Sequence, residues 1–188
     1  MFIGTHETIA KNVYLTLKTE NNITLNRNLF IFGNVFPDLH VDYIKQKHYK
    51  NFCYEKIKLA IIEMSNTRMT LAEFSFKAGV ICHYVSDFFC YPHEQEWRYL
   101  RGNTKEHIQF ENKQNLITRD KIFIVKNDIK LQKIENAYID FFIENLLDEY
   151  RKSVDYSRDV LYAITASYNC VEQLLYKMFK ENIIKTSR

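Results

Sequence analysis

Two histidine–carboxylate pairs recur at the same spacing, His83 with Asp87 and His107 with Glu111, and His93 stands between them just after Pro92. Residues four apart lie on one face of a helix, so each pair can aim an imidazole and a carboxylate at one point. Taken singly, such a pair is more often a surface or capping interaction. What sets these apart is the ordered series to which they belong. His6 lies near the amino end, Asp38 closes Gly33-Asn34-Val35-Phe36-Pro37-Asp38, His48 precedes Tyr49 and His83 precedes Tyr84; Asp87, His93, His107 and Glu111 follow. Five of the six histidines fall in this series. Nitrogen and oxygen donors without thiolates suit zinc in hydrolytic sites, where the metal keeps one position open for water. There is no His-Asp dipeptide, no H-E-x-x-H and no Glu-x-x-His, which sets aside other helical metal hydrolases and oxygen-activating sites.

The elements that must hold these residues are helices. Four glycines and two prolines in 188 residues leave too little turn chemistry for an all-β sandwich or barrel. Neither G-x-G-x-x-G nor G-x-x-x-x-G-K-[ST] occurs, so a Rossmann or P-loop site is excluded. Ile9, Val13 and Leu17 start a helical period after Thr5 as a candidate N-cap, and Leu25, Leu29 and Phe32 continue it. Cys53, Ile57, Ala60, Ile61 and Met64 form a third apolar face. Thr70 with Glu73 makes a capping box for a segment over Leu71 to Phe89 that is apolar nearly all round, the expected central helix, with Pro92 ending it. His83 and Asp87 lie in that segment, where ionisable groups are costly unless paired or bound to metal. A polar helix is expected over Thr104 to Leu116 and two amphipathic ones over Ile129 to Arg151 and Tyr156 to Asn182; Lys121 to Lys126 reads equally well as a short strand. These patterns make the expected fold mainly α, one compact domain over residues 1–188.

The net charge of +3 is spread along the chain and forms no basic stripe, which makes nucleic acid an unlikely partner. The longest apolar stretches are broken well before the roughly 18 residues a membrane helix needs, so no transmembrane segment is expected. Met1 to Ala10 lacks a basic region followed by an apolar one, and the expected location is cytoplasmic. The four cysteines show no C-x-x-C spacing and read as reduced, buried thiols, with Cys82 and Cys90 flanking the site as core residues.

Together the motifs resemble those of the zinc-dependent phospholipase C family, whose superfamily also contains the zinc-dependent single-strand nucleases. Gly33 to Asp38 is similar to the family's G-x-x-x-P-D segment and His48-Tyr49 to its H-Y. His83-Tyr84-Val85-Ser86-Asp87 with Pro92-His93 is similar to its H-Y-x-x-D…P-H helix, and His107 with Glu111 to its last ligand pair. The resemblance covers residues 1 to 115 by motif and the later helices by type. It implies an all-α fold, a compact multi-helix bundle around a multinuclear zinc site with two or three ions per chain. The positions of Asp38, His48, His83 and Asp87 would hold one ion, and those of His93, His107 and Glu111 a second. A third would take His6, Asp87 as a bridging carboxylate, and the amine and carbonyl of the amino-terminal residue. That residue is a Trp in the family and Met1 here, five positions before His6 as in the nuclease branch. The implied chemistry is hydrolysis of a phosphodiester by a metal-activated hydroxide attacking phosphorus, with Asp38 either orienting the water and taking its proton or serving only as a ligand. The expected substrate is a phospholipid or small phosphodiester, with peripheral membrane contact as an option. His40, Asp42 and Tyr43, or Phe89, Tyr91 and Trp97, could line a head-group pocket. A single-strand nuclease and a non-catalytic protein stabilised by zinc are the competing readings.

Overall fold

A computed structural model of the chain describes residues 1–21, 25–44, 50–93, 104–123, 137–153, 155–180 and 184–185. Its architecture is all-α, as expected. Among the described residues, in chain order, the helices are α1 (Ile3–Asn21), α2 (Arg27–Leu39), α3 (Val41–Ile44), α4 (Lys50–Asn66), α5 (Leu71–Asp87), α6 (Thr104–Thr118), α7 (Ala137–Tyr150) and α8 (Tyr156–Lys180), with one turn of 3-10 helix at Tyr91–His93 after α5. Two short strands, β1 (Met69–Thr70) and β2 (Ile184–Lys185), pair in parallel and tie the carboxyl end to the start of α5.

Helix α5 is central because it can be. It packs against α1, α2, α4 and α8, so a side chain on almost any face meets another helix. Phe74, Ala78, Ile81, Cys82 and Val85 are buried along it. Its start is fixed by the predicted capping box: Glu73 N donates to Thr70 Oγ1 (3.2 Å) while Thr70 N donates to Glu73 Oε2 (2.8 Å). The helix ends at Asp87, two residues before the expected Phe89, and Pro92 lies beyond it in the 3-10 turn.

Helices α2 and α5 approach until their backbones touch. A Cβ on Gly33 would stand 2.2 Å from the Phe76 carbonyl oxygen, and one on Gly79 would stand 2.2 Å from that of Phe30. Any other residue at either position would push the helices apart, so these glycines let two backbones touch. The contact brings the Asn34 to Asp38 end of α2 beside His83 and Asp87.

The apolar faces otherwise follow the sequence with a few shifts. Ile9, Val13 and Leu17 of α1 are fully buried, and Val160, Ile164, Val171 and Leu175 of α8 close the bundle. Thr5 is not an N-cap; α1 begins at Ile3, and Thr5 is buried within its first turn. On α2 the cap is Asn26, accepting from Leu29 N (3.2 Å), and Phe30 rather than Phe32 faces inward. Helix α6 runs two residues past its expected end, and α8 is described to Lys180 rather than Asn182. Residues 121–123 form no strand, and the remainder of the Lys121 to Lys126 segment and residues 129–136 lie outside the described residues. All four cysteines are buried thiols. Among the described residues no helix is long and apolar enough to cross a membrane.

Candidate metal centre

Asp87 sits at the last turn of the central helix, wholly buried. A buried carboxylate is tolerated only if its lost hydration is compensated; the Met1 ammonium does so here, and three imidazole nitrogens face the same carboxylate. Its Oδ1 lies 2.9 Å from the Met1 ammonium nitrogen, 3.3 Å from His6 Nε2 and 3.5 Å from His93 Nδ1. Its Oδ2 lies 3.6 Å from His83 Nε2, one turn back on the same helix.

His6 and His83 stack with ring centroids 4.0 Å apart, and each is held through its Nδ1. His83 Nδ1 lies 2.8 Å from the Asn34 carbonyl oxygen, so it donates. His6 Nδ1 lies 3.2 Å from Ser86 Oγ, whose own hydroxyl hydrogen goes to the His83 carbonyl (2.7 Å), so His6 Nδ1 is also the donor. In the neutral rings both Nε2 atoms are then left as acceptors pointing at carboxylates, the arrangement of histidines whose outer nitrogen is anchored to free the other for a metal. Asn34 adds a further brace. In the orientation that satisfies both ends, its amide donates to His6 O (2.9 Å) and accepts from His83 N (3.1 Å). Asp38, from the end of α2, completes this side at 3.8 Å from both His6 Nε2 and His83 Nε2.

A second focus lies at Glu111 on α6. His107 Nε2, His93 Nε2 and the Met1 nitrogen approach its Oε1 at 2.8, 3.1 and 3.1 Å. Cys90 Sγ stands 3.9 Å from the same oxygen. Burial alone would raise the Glu111 pKa, but the Met1 ammonium, His107 and His93 hold it well below the usual carboxylate range. Burial, with the nearby ammonium, depresses His93. Met1 is the reverse case: burial would lower its amine, yet Asp87 and Glu111, with Cys90 and Asp38 assisting, keep it well above the ordinary value. An ammonium thus occupies the place between two carboxylates where a cation is electrostatically favoured.

The donor set fits a divalent cation. His6 Nε2 is fully buried and makes no hydrogen bond, facing two carboxylates instead. The donors fall into two groups whose atoms lie within 4.8 Å of one another, His6 with His83 and Asp87, and Cys90 with His93 and Glu111. Imidazole and carboxylate in this proportion suit zinc. The side chains of Asp38 and His107 are 22% and 25% exposed while those of the others are nearly or wholly buried, so solvent reaches the cluster at these two residues. The model of the family described as zinc-dependent phospholipase C matches residues 5–157. The chain belongs to the zinc-dependent phospholipase C family. No curated protein and no solved structure matches it.

Of the residues singled out as ligands of this phospholipase C family member, Met1, His6, Asp38, His83, Asp87, His93, His107 and Glu111 converge on the one cluster; His48 lies outside the described residues. Trp97 does too, Phe89 is buried in the core, and His40 and Tyr43 pack with Phe36 beside Asp38. Sequence reasoning passed over Asn34 and Ser86, although a polar residue on an otherwise buried helix face is itself a signal. It also missed Asp159 on α8, which accepts from Tyr91 N (3.1 Å) and from Gln114 Nε2 (3.0 Å). Tyr91 opens the turn that ends at His93, and Gln114 lies one turn after Glu111, so Asp159 fastens both ligand-bearing segments to the last helix. No local pattern announces it.

Proposed function

We propose that the chain is a zinc-dependent phosphodiester hydrolase of the phospholipase C type, acting on a phospholipid or a small phosphodiester. Asp38, His83 and Asp87, with His48, would hold one ion, His93, His107 and Glu111 a second, and His6, Asp87 and the Met1 amine and carbonyl a third. The observation that carries the reading is Asp87, whose two oxygens face different nitrogens: Met1, His6 and His93 on one side and His83 on the other. A carboxylate so placed is suited to bridging two ions.

Zinc, when bound, supplies Lewis acidity toward phosphate oxygens and acidifies water toward a pKa of about 7. The protein's part is positional. His83 and His6 are locked by Asn34 and Ser86 so that their Nε2 atoms need no reorientation on binding. Asp38, partly exposed, would orient the attacking water or take its proton, or would serve as a ligand alone. With no membrane-crossing helix among the described residues, contact with a phospholipid would be at the bilayer surface.

The test is turnover of a chromogenic phosphodiester by untagged protein, with metal content measured on the same sample. The expected result is two or three zinc ions per chain and hydrolysis that disappears on chelation and returns with zinc. Preferential cleavage of single-stranded DNA or RNA would make it a nuclease instead. Full zinc with no turnover of any phosphodiester would make the ions structural.

A further inference from the structure

We propose that Cys90 is a further metal donor, a thiolate joining His93, His107 and Glu111 on their ion; this rests on the reading that those three residues hold one. Residues three apart in a 3-10 turn eclipse one another, and Cys90 and His93 are so related, with His93 N donating to Cys90 O at 2.7 Å. Both side chains therefore leave the turn on one side, toward α6. There the sulfur lies 3.9 Å from Glu111 Oε1, and the donor atoms of Cys90, His93 and Glu111 all fall within 4.8 Å of one another. Zinc bonds of about 2.3 Å to sulfur and about 2.1 Å to nitrogen put tetrahedral donors about 3.6 Å apart, so the three atoms need close in only slightly around an ion. Without metal the buried thiol donates weakly to Glu111; on coordination its proton leaves to solvent and a sulfur–metal bond replaces the S–H.

The consequence is a division of labour. Two imidazoles, one carboxylate and one thiolate fill a tetrahedral set and leave no position for water, as four protein ligands do at a structural zinc. The position open to water would then belong to the ions beside Asp87, on the Asp38 side, and the Glu111 ion would brace α6 against the turn.

Cobalt substitution tests this directly. Metal-free full-length protein is loaded with Co²⁺ and read by absorption, with bound metal counted separately. A thiolate ligand gives an intense near-ultraviolet charge-transfer band that histidine and carboxylate donors do not. The expected result is a band that saturates at one cobalt per chain, persists in Cys82→Ala and is absent from Cys90→Ser while that variant still binds cobalt. Bound cobalt without the band in the unaltered protein would overturn the proposal and leave the His93, His107 and Glu111 site standing. So would a band that survives Cys90→Ser. Should Cys90→Ser fail to fold, Cys53→Ala, Cys82→Ala and Cys170→Ala decide: the band must persist in all three, and its loss in any of them reassigns the sulfur. A chain that binds no cobalt at all would overturn the metal site and the thiolate together.

Discussion

The amino-terminal nitrogen of Met1 and Oδ1 of Asp87 lie 2.9 Å apart although 86 positions separate them in the chain, and both are buried. The first residue of α1's lead-in thus reaches the last turn of the central helix. In the same place the nitrogen also meets Glu111, so one group touches both halves of the candidate centre.

That contact makes the amino terminus sensitive to extension. Residues added before Met1 turn its amine into a peptide nitrogen, which carries no charge and is a poor ligand. Protein with an amino-terminal tag is expected to bind one zinc fewer than untagged protein, measured as metal per chain by mass spectrometry. Equal content in the two would remove Met1 from the site.

Asp87→Ala is expected to lose two ions at once and to unfold more easily, because it takes away the nearer of the two carboxylates that compensate the buried Met1 ammonium. Breaking a buried charge cluster in this way costs about 3–5 kcal/mol. Metal analysis and thermal unfolding read the two effects separately; retention of all zinc would show that Asp87 bridges nothing.

Gly79→Ala tests whether backbone contact between α2 and α5 sets the site. The new methyl group would meet the Phe30 carbonyl at 2.2 Å, so the helices must part, at a cost of about 1–3 kcal/mol. Weaker zinc binding should accompany the lower melting temperature, since Asn34 and Asp38 move with α2. An unchanged affinity in a destabilised variant would mean that the ligands adjust independently of the packing.

Asp159 should give the metal-free protein a distinctive pH dependence. Burial raises its pKa from 3.8 to about 7, against the opposing hydrogen bonds from Tyr91 and Gln114. The folded state therefore holds this proton more tightly than the unfolded chain. Its stabilisation is complete below pH 4 and is lost as pH rises to about 7, by up to about 4 kcal/mol. The unfolding free energy of the parent relative to that of Asp159→Asn, measured from pH 4 to pH 8, should fall across that window. A difference independent of pH would mean that Asp159 titrates normally.

The identity of the donors and the helices that carry them are legible in the sequence because both are local. A four-residue spacing puts His83 over Asp87 and His107 over Glu111 whatever else the chain does, and the capping box at Thr70 and Glu73 declares where α5 begins. An apolar surround for His83 and Asp87 likewise announces that something must compensate them. What the sequence by itself determined, then, is an all-α chain with a zinc-type ligand inventory on named helix faces. Only the tertiary structure decided that Met1 meets Glu111 as well as Asp87, that Gly33 and Gly79 let the α2 and α5 backbones touch beside Asp38 and His83, that Cys90 turns its sulfur toward Glu111, and that Asp159 pins the two ligand-bearing segments. These are contacts between residues far apart in the chain. Their partners are chosen by how helices pack and how buried charge finds its compensation, and neither leaves a period in the sequence.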